Sequence, residues 1–229
     1  MLMKIKSSFI LKKIFMFMNS KIKFNTIIYN KKVQKKLGLN LIDFIRFSGK
    51  YIEEKNDKIE VYSYFNKKIL FEGQYSNRKK NGEGKEYNEN GKLIFHGEYL
   101  DGKKWTGLEK VYDEIDDEII LFEYEYRDGK IINGKEYDKI NGELLYSGGY
   151  LNGKRNGYGE EYKLVCQKKR HSFYSTLKRD NAKLITIFSG IYLNGERKKG
   201  IEYNLDEKIV YNGEYLHGKK NGQGKEANK

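Results

Sequence analysis

Two hydropathic patterns divide the chain. Over residues 5–46 apolar positions recur at helical spacing, with Leu11, Ile14, Phe15, Met18 and Ile22 in one stripe and lysines over much of the rest. A second helical pattern follows Ser20, carries Phe24, Ile27, Ile28, Val33 and Leu37, and stops at Gly38, a residue suited to a helix C-cap. A third, shorter one opens at Asn40, three residues before Asp43, with Leu41, Ile42, Phe44 and Ile45. The spacing predicts a three-helix unit.

From residue 47 the period changes to two, and an aromatic-x-Gly-x-Tyr pentapeptide recurs. It reads FSGKY at 47–51, FEGQY at 71–75, FHGEY at 95–99, FEYEY at 122–126, YSGGY at 146–150, FSGIY at 188–192 and YNGEY at 211–215. Successive starts lie 24, 24, 27, 24, 42 and 23 residues apart, so one unit has been copied seven times with one insertion, at about residues 168–185. A basic turn and a Gly-rich second run follow each pentapeptide. Asn-Gly and Asp-Gly pairs tolerate positive φ, and the runs beside them alternate, so each unit is predicted to be a β-hairpin.

Alternation puts the two aromatics and the glycine of the pentapeptide on one face, where the bare glycine leaves room for a ring of a neighbouring hairpin. The repeat core is therefore assigned to Phe71, Gly73 and Tyr75, and to Phe95, Gly97 and Tyr99. It continues through Tyr146, Gly148 and Tyr150, then Phe188, Gly190 and Tyr192, then Tyr211, Gly213 and Tyr215. A lone hairpin is unstable in water, so the copies must stack. The expected fold is mainly β: an elongated single-layer antiparallel sheet of stacked β-hairpin repeats over residues 47–229, with a small α-helical cap over residues 1–46. The helices are expected to cover the edge or aromatic face of the first hairpin.

The unit Y/F-x-G-E-Y-x-x-G-K-x-x-G-x-G, clearest in FHGEYLDGKK and YNGEYLHGKKNGQGKE, resembles the MORN repeat (membrane occupation and recognition nexus). The resemblance implies a non-enzymatic scaffold for protein–protein or membrane-surface interaction. The stretch KSSFILKKIFMF is similar to F-box-like modules joined to such repeats in large amoebal DNA viruses and A/T-rich protists. That likeness implies, as an alternative, a substrate adaptor for ubiquitin ligation with a Skp1-type partner.

Composition narrows the chemistry. The 229 residues are 38% hydrophobic and 14% aromatic, enough for a packed interior. Proline is absent and Lys, Asn, Ile and Tyr abound, a bias of A/T-rich coding that discounts the lysine count as a functional signal. The first 42 residues nevertheless carry ten lysines and no acid, against a net +3 over the remaining 187. Lys12 and Lys13 interrupt the apolar run of residues 9–18, which is too short to span a bilayer and lacks a cleavage site. A cytoplasmic protein is expected, with a membrane-peripheral one as the alternative.

Three histidines and one cysteine leave little for catalysis. His217 aligns with Asn77, Asp101, Asp128, Asn152 and Asn194, and His96 with Glu72, Glu123, Ser147, Ser189 and Asn212, all variable polar positions. His171 lies in the insertion with only Cys166 nearby, no metal signature, and Cys166 has no disulfide partner. No catalytic residue, metal or cofactor is expected. The turns are richer: Lys79, Lys103, Lys130, Lys154 and Lys219 share one position, and Lys80, Lys104, Arg155, Arg197 and Lys220 the next. Copies about 10 Å apart would make a positive ridge for an anionic partner. An anionic phospholipid surface or an acidic protein fits that ridge. Nucleic acid is disfavoured, because Glu86, Glu136, Glu161, Glu202 and Glu226 temper the field and no RNA-binding signature is present.

Overall fold

A computed structural model describes residues 7–55, 58–166 and 182–226. Most of the insertion, with His171, lies outside the described residues, as does the side chain of Cys166. The chain divides into two compact units, Met1–Leu93 and Ile94–Lys229.

The first unit begins with four helices: α1 (Ser8–Met16), α2 (Ser20–Ile27), α3 (Lys31–Leu37) and α4 (Leu41–Ser48). The expected second helix is split in two because Asn30 caps a new one, its side chain accepting from the Val33 amide at 3.1 Å. Asn40 and Asp43 form a reciprocal capping box, at 3.1 and 2.9 Å, that starts α4. α4 outlasts the predicted boundary at residue 46, taking in Phe47 and Ser48 and ending at Gly49 with φ of 71°. The first pentapeptide is thus largely a helix end, and the strand β1 (Lys50–Lys55) starts only after it. β1 pairs with β2 (Lys58–Ser63), where Tyr51 stacks on Tyr62 at 5.2 Å.

The helices do not use their apolar stripe to cover the sheet. Leu11, Phe15, Ile27, Val33 and Leu37 bury one another, with Met18, Leu39, Phe44 and Phe47 packed around them. The link to the strands is narrower: the Tyr64 amide donates to the Gly49 carbonyl at 2.8 Å.

The hairpin β3 (Ile69–Ser76) and β4 (Lys79–Tyr87) completes the first unit. The second unit holds five more in chain order: β5 (Leu93–Leu100) with β6 (Lys103–Tyr112), β7 (Ile120–Arg127) with β8 (Lys130–Tyr137), β9 (Leu144–Leu151) with β10 (Lys154–Cys166), β11 (Ala182–Leu193) with β12 (Glu196–Tyr203), and β13 (Ile209–Leu216) with β14 (Lys219–Glu226). Every pairing described is antiparallel between consecutive strands, so the protein is mainly β. Among the described residues no helix is long and apolar enough to cross a membrane.

The turns follow from their chemistry. Asp101, Asp128, Asn152, Asn194 and His217 all sit near φ 50°, each followed by a glycine with positive φ, the primed turn that matches strand twist. The chain then returns to the next hairpin through a second signal that the sequence reading overlooked. An Asn or Asp follows the last tyrosine of the second strand, and the side chains of Asn88, Asp113, Asp138 and Asn204 accept backbone amides two to four residues on.

The end of the predicted insertion, residues 182–185, is strand. β10 and β11 extend past the usual length, with Tyr162 opposite Thr186 and Cys166 opposite Ala182. Ile185 is buried.

Candidate functional site

Five hairpins, β3–β4, β5–β6, β9–β10, β11–β12 and β13–β14, build the same arrangement on their aromatic face. The first ring of the pentapeptide lies along its own strand pair, so the glycine below it belongs to the same repeat. At Gly134 of β8, by contrast, the ring of the following repeat, Tyr150, lies over the bare backbone, as the sequence suggested for a neighbour. A Cβ on Gly148 would stand 2.6 Å from the Tyr146 hydroxyl and 2.4 Å from the Gly159 Cα. Gly190 and Gly200 lie beneath Phe188 in the same way, and Gly213 and Gly224 beneath Tyr211. The second ring, four residues after the first, meets it edge-on: Phe71 with Tyr75 at 5.6 Å, Phe95 with Tyr99 at 5.1 Å, Tyr146 with Tyr150 at 5.8 Å.

Neighbouring repeats connect through further edge contacts, Phe95 with Tyr126 at 5.9 Å, Tyr146 with Tyr192 at 5.2 Å and Phe188 with Tyr215 at 5.5 Å. The rings of Tyr146, Tyr150, Phe188, Tyr192, Tyr211 and Tyr215 form one buried cluster. Tyr124 takes the glycine place in its repeat by stacking flat on Phe122 at 5.5 Å, and Ile131, where other repeats have a cation, packs on the same cluster.

The expected ridge comes apart into two rows. Alternation sends the two turn cations to opposite faces. Lys79, Lys103, Lys130, Lys154 and Lys219 are exposed. The next cation of each turn lies over its own repeat's first ring: Lys80 over Phe71 at 4.3 Å, Lys104 over Phe95 at 4.9 Å, Arg155 over Tyr146 at 4.1 Å, Arg197 over Phe188 at 4.3 Å and Lys220 over Tyr211 at 4.9 Å. This second row is a structural layer.

The second-strand glutamates, read from the sequence only as tempering the positive field, complete that layer as links between repeats. Glu161 accepts from the Tyr192 hydroxyl at 2.6 Å and from Arg197 through Nε at 3.0 Å and Nη2, all in the following repeat, while Arg155 of its own repeat stands 3.4 Å away. Glu136 binds Tyr150 and both Nε and Nη2 of Arg155 likewise. Glu109 accepts from Tyr126 at 2.8 Å and pairs with Lys104, and Glu202 accepts from Tyr215 at 3.0 Å with Lys220 at 3.5 Å. Lys80 pairs with Glu86 in the first unit. The signal was present in the sequence: a glutamate two residues after the second-strand glycine in the six copies that follow the first.

No family model matches the chain, and no curated protein matches it. Among solved structures, a crystal structure of TarM overlaps 59% of this chain and 25% of its own at 16% identity, with a TM-score of 0.28. A TarM variant from S. aureus in complex with Fondaparinux, alpha-GlcNAc-glycerol and UDP gives 15% identity, 64% and 26% coverage and the same score. The chain thus spans about a quarter of the length of those proteins, and overlap at this score transfers no chemistry.

A cleft of about 350 Å³ is bordered by Leu108, Lys110, Glu123, Tyr124, Lys135 and Ser147. Its central carboxylate is already engaged, accepting from Tyr137 at 2.8 Å with Lys110 and Lys135 each 3.6 Å away. Sequence-singled His96 and His217 are both exposed, and His217 is the turn residue its alignment implied. Among the described residues no group of three or more His, Cys, Asp or Glu is placed to hold a metal ion.

Burial pushes Glu161 up, but hydrogen bonds from Arg197 and Tyr192 and the charges of both arginines outweigh it and hold its carboxyl below the ordinary 4.5. Glu136 is held down in the same way by Arg155 and Tyr150. A carboxyl whose folded pKa is depressed contributes stability above its unfolded value and loses it as pH falls through the folded one. The melting-temperature gap between the wild type and Glu161→Gln should therefore be full at neutral pH and close as pH drops below about 4.5. Thermal melts across that range check it. A constant gap would mean that ionisation of Glu161 contributes nothing.

Proposed function

We propose that this protein is a MORN-like repeat scaffold that binds other proteins and performs no chemistry of its own. The reading is supported by how the half-buried polar side chains are used: Tyr192, Tyr215, Arg155 and Arg197 are bonded to Glu136, Glu161 and Glu202 between successive hairpins. The repeat leaves another surface outward. Leu100, Leu151, Leu193 and Leu216 follow the buried tyrosine of their pentapeptides, and 44–55% of each remains exposed. Three of them pair across the turn with the first-row lysines Lys103, Lys154 and Lys219. Leucine beside lysine at the same turn position, copy after copy, fits a protein partner that offers apolar and acidic groups at the repeat spacing.

Proximity labelling with the full chain tests this. Proteins enriched by the wild type should be lost, by about tenfold, from Leu151→Ser/Leu193→Ser/Leu216→Ser, with melting unchanged. They should be retained by His96→Ala/His217→Ala. Equal enrichment by the leucine variant, or selective loss in the histidine variant, would contradict the scaffold reading.

A further inference from the structure

We propose that the outer face of α1 is a docking surface for an anionic membrane. The helix has two apolar faces. Leu11 and Phe15, one turn apart, are 1% and 7% exposed and anchor it in the helical core. On the other side Phe9, Ile10, Met16 and its C-cap residue Phe17 are 65%, 51%, 75% and 91% exposed. At 100° per residue these four fall within one sector, together with Lys13, whose ammonium lies 4.8 Å from the centre of the Phe9 ring. A helix that has already buried its core stripe has no internal reason to carry a second one of Phe and Met.

Charge decides the occupant. The first 42 residues hold ten lysines and no acid, so nothing near this apolar sector in sequence repels a negative surface. Bulky apolar side chains fringed by lysines, on a helix too short to span, are what an interfacial helix requires: the rings enter the acyl boundary while the ammonium groups remain at the headgroups. The capped ends hold the helix before contact, so binding need not order it. This surface is separate from the leucine row of the array, and it stands or falls independently of the scaffold reading.

Vesicle sedimentation with the full chain provides the test. The wild type should bind phosphatidylserine–phosphatidylcholine vesicles, bind phosphatidylcholine vesicles weakly, and be released as ionic strength rises. Phe9→Ser/Phe17→Ser and Lys12→Glu/Lys13→Glu should each lower partitioning about tenfold or more with the helical circular dichroism signal retained. Should either variant unfold, hydrogen exchange of the wild type on vesicles gives an independent readout, with new protection expected over residues 8–17. Absence of binding to anionic vesicles, equal binding to both lipids, undiminished binding by both folded variants, or a protein cross-linked at Phe17 with no vesicle binding would each overturn the proposal.

Discussion

Replacing Gly148 by valine is expected to destabilise the protein by about 3 kcal/mol or more, lowering its melting temperature by roughly 10 °C. The valine Cβ alone would lie 2.4 Å from the Gly159 Cα and 2.7 Å from the Tyr158 carbonyl oxygen. Both are backbone atoms fixed by strand pairing, so they cannot move aside as a flexible side chain would. The other neighbour is the Tyr146 ring, whose displacement would also break its edge contact with Tyr192 in the next repeat. His217→Ala supplies the contrast: an 82% exposed side chain at a turn should change stability by less than about 0.5 kcal/mol. Thermal melts of the two variants by near-ultraviolet circular dichroism decide the matter. Comparable shifts would mean that the glycine slots do not organise the packing.

Glu161→Ala should cost about 2 to 3 kcal/mol, because it strips three donors of their shared acceptor. Arg155 and Arg197 retain 24% and 23% exposure and can recover some hydration, which places the loss at the lower end for a half-buried ion pair. The equivalent residue of the last hairpin, Glu226, is exposed, and Glu226→Ala should change stability by less than about 0.5 kcal/mol. Chemical denaturation of both variants measures the difference. Equal losses would show that the carboxylate matters within its own hairpin and not between repeats.

Most of the fold was legible because it is written several times. Seven copies of one pentapeptide identify strand, turn and buried face together, since any reading must hold at each copy. Where the chain departs from repetition, local signals compete. Residues 47–51 match the pentapeptide in letters, yet Gly49 terminates α4 because Asn40 and Asp43 start a helix whose apolar residues pack against Phe15 and its neighbours. Asn30 lies inside a helical apolar pattern, and only its cap geometry reveals the break between α2 and α3.

The turn cations were legible as a pair of positions but not as two separate roles. Sequence proximity makes Lys103 and Lys104 look alike, while strand alternation exposes one and lays the other over Phe95. Their glutamate partners were visible as a repeated letter. Reading Glu161 as the link to the following hairpin required the register that brings Glu161 opposite Phe188 and so within reach of Tyr192 and Arg197.

The central claim is that the charged and phenolic groups of this chain bind successive repeats to one another. A double-mutant cycle on Glu161→Gln and Arg197→Gln tests it most directly, with stability measured for the wild type, both single variants and the pair. The two residues should couple by about 1 to 2 kcal/mol, because each single change leaves the other half-buried group without its partner. Additivity within about 0.3 to 0.5 kcal/mol would contradict it.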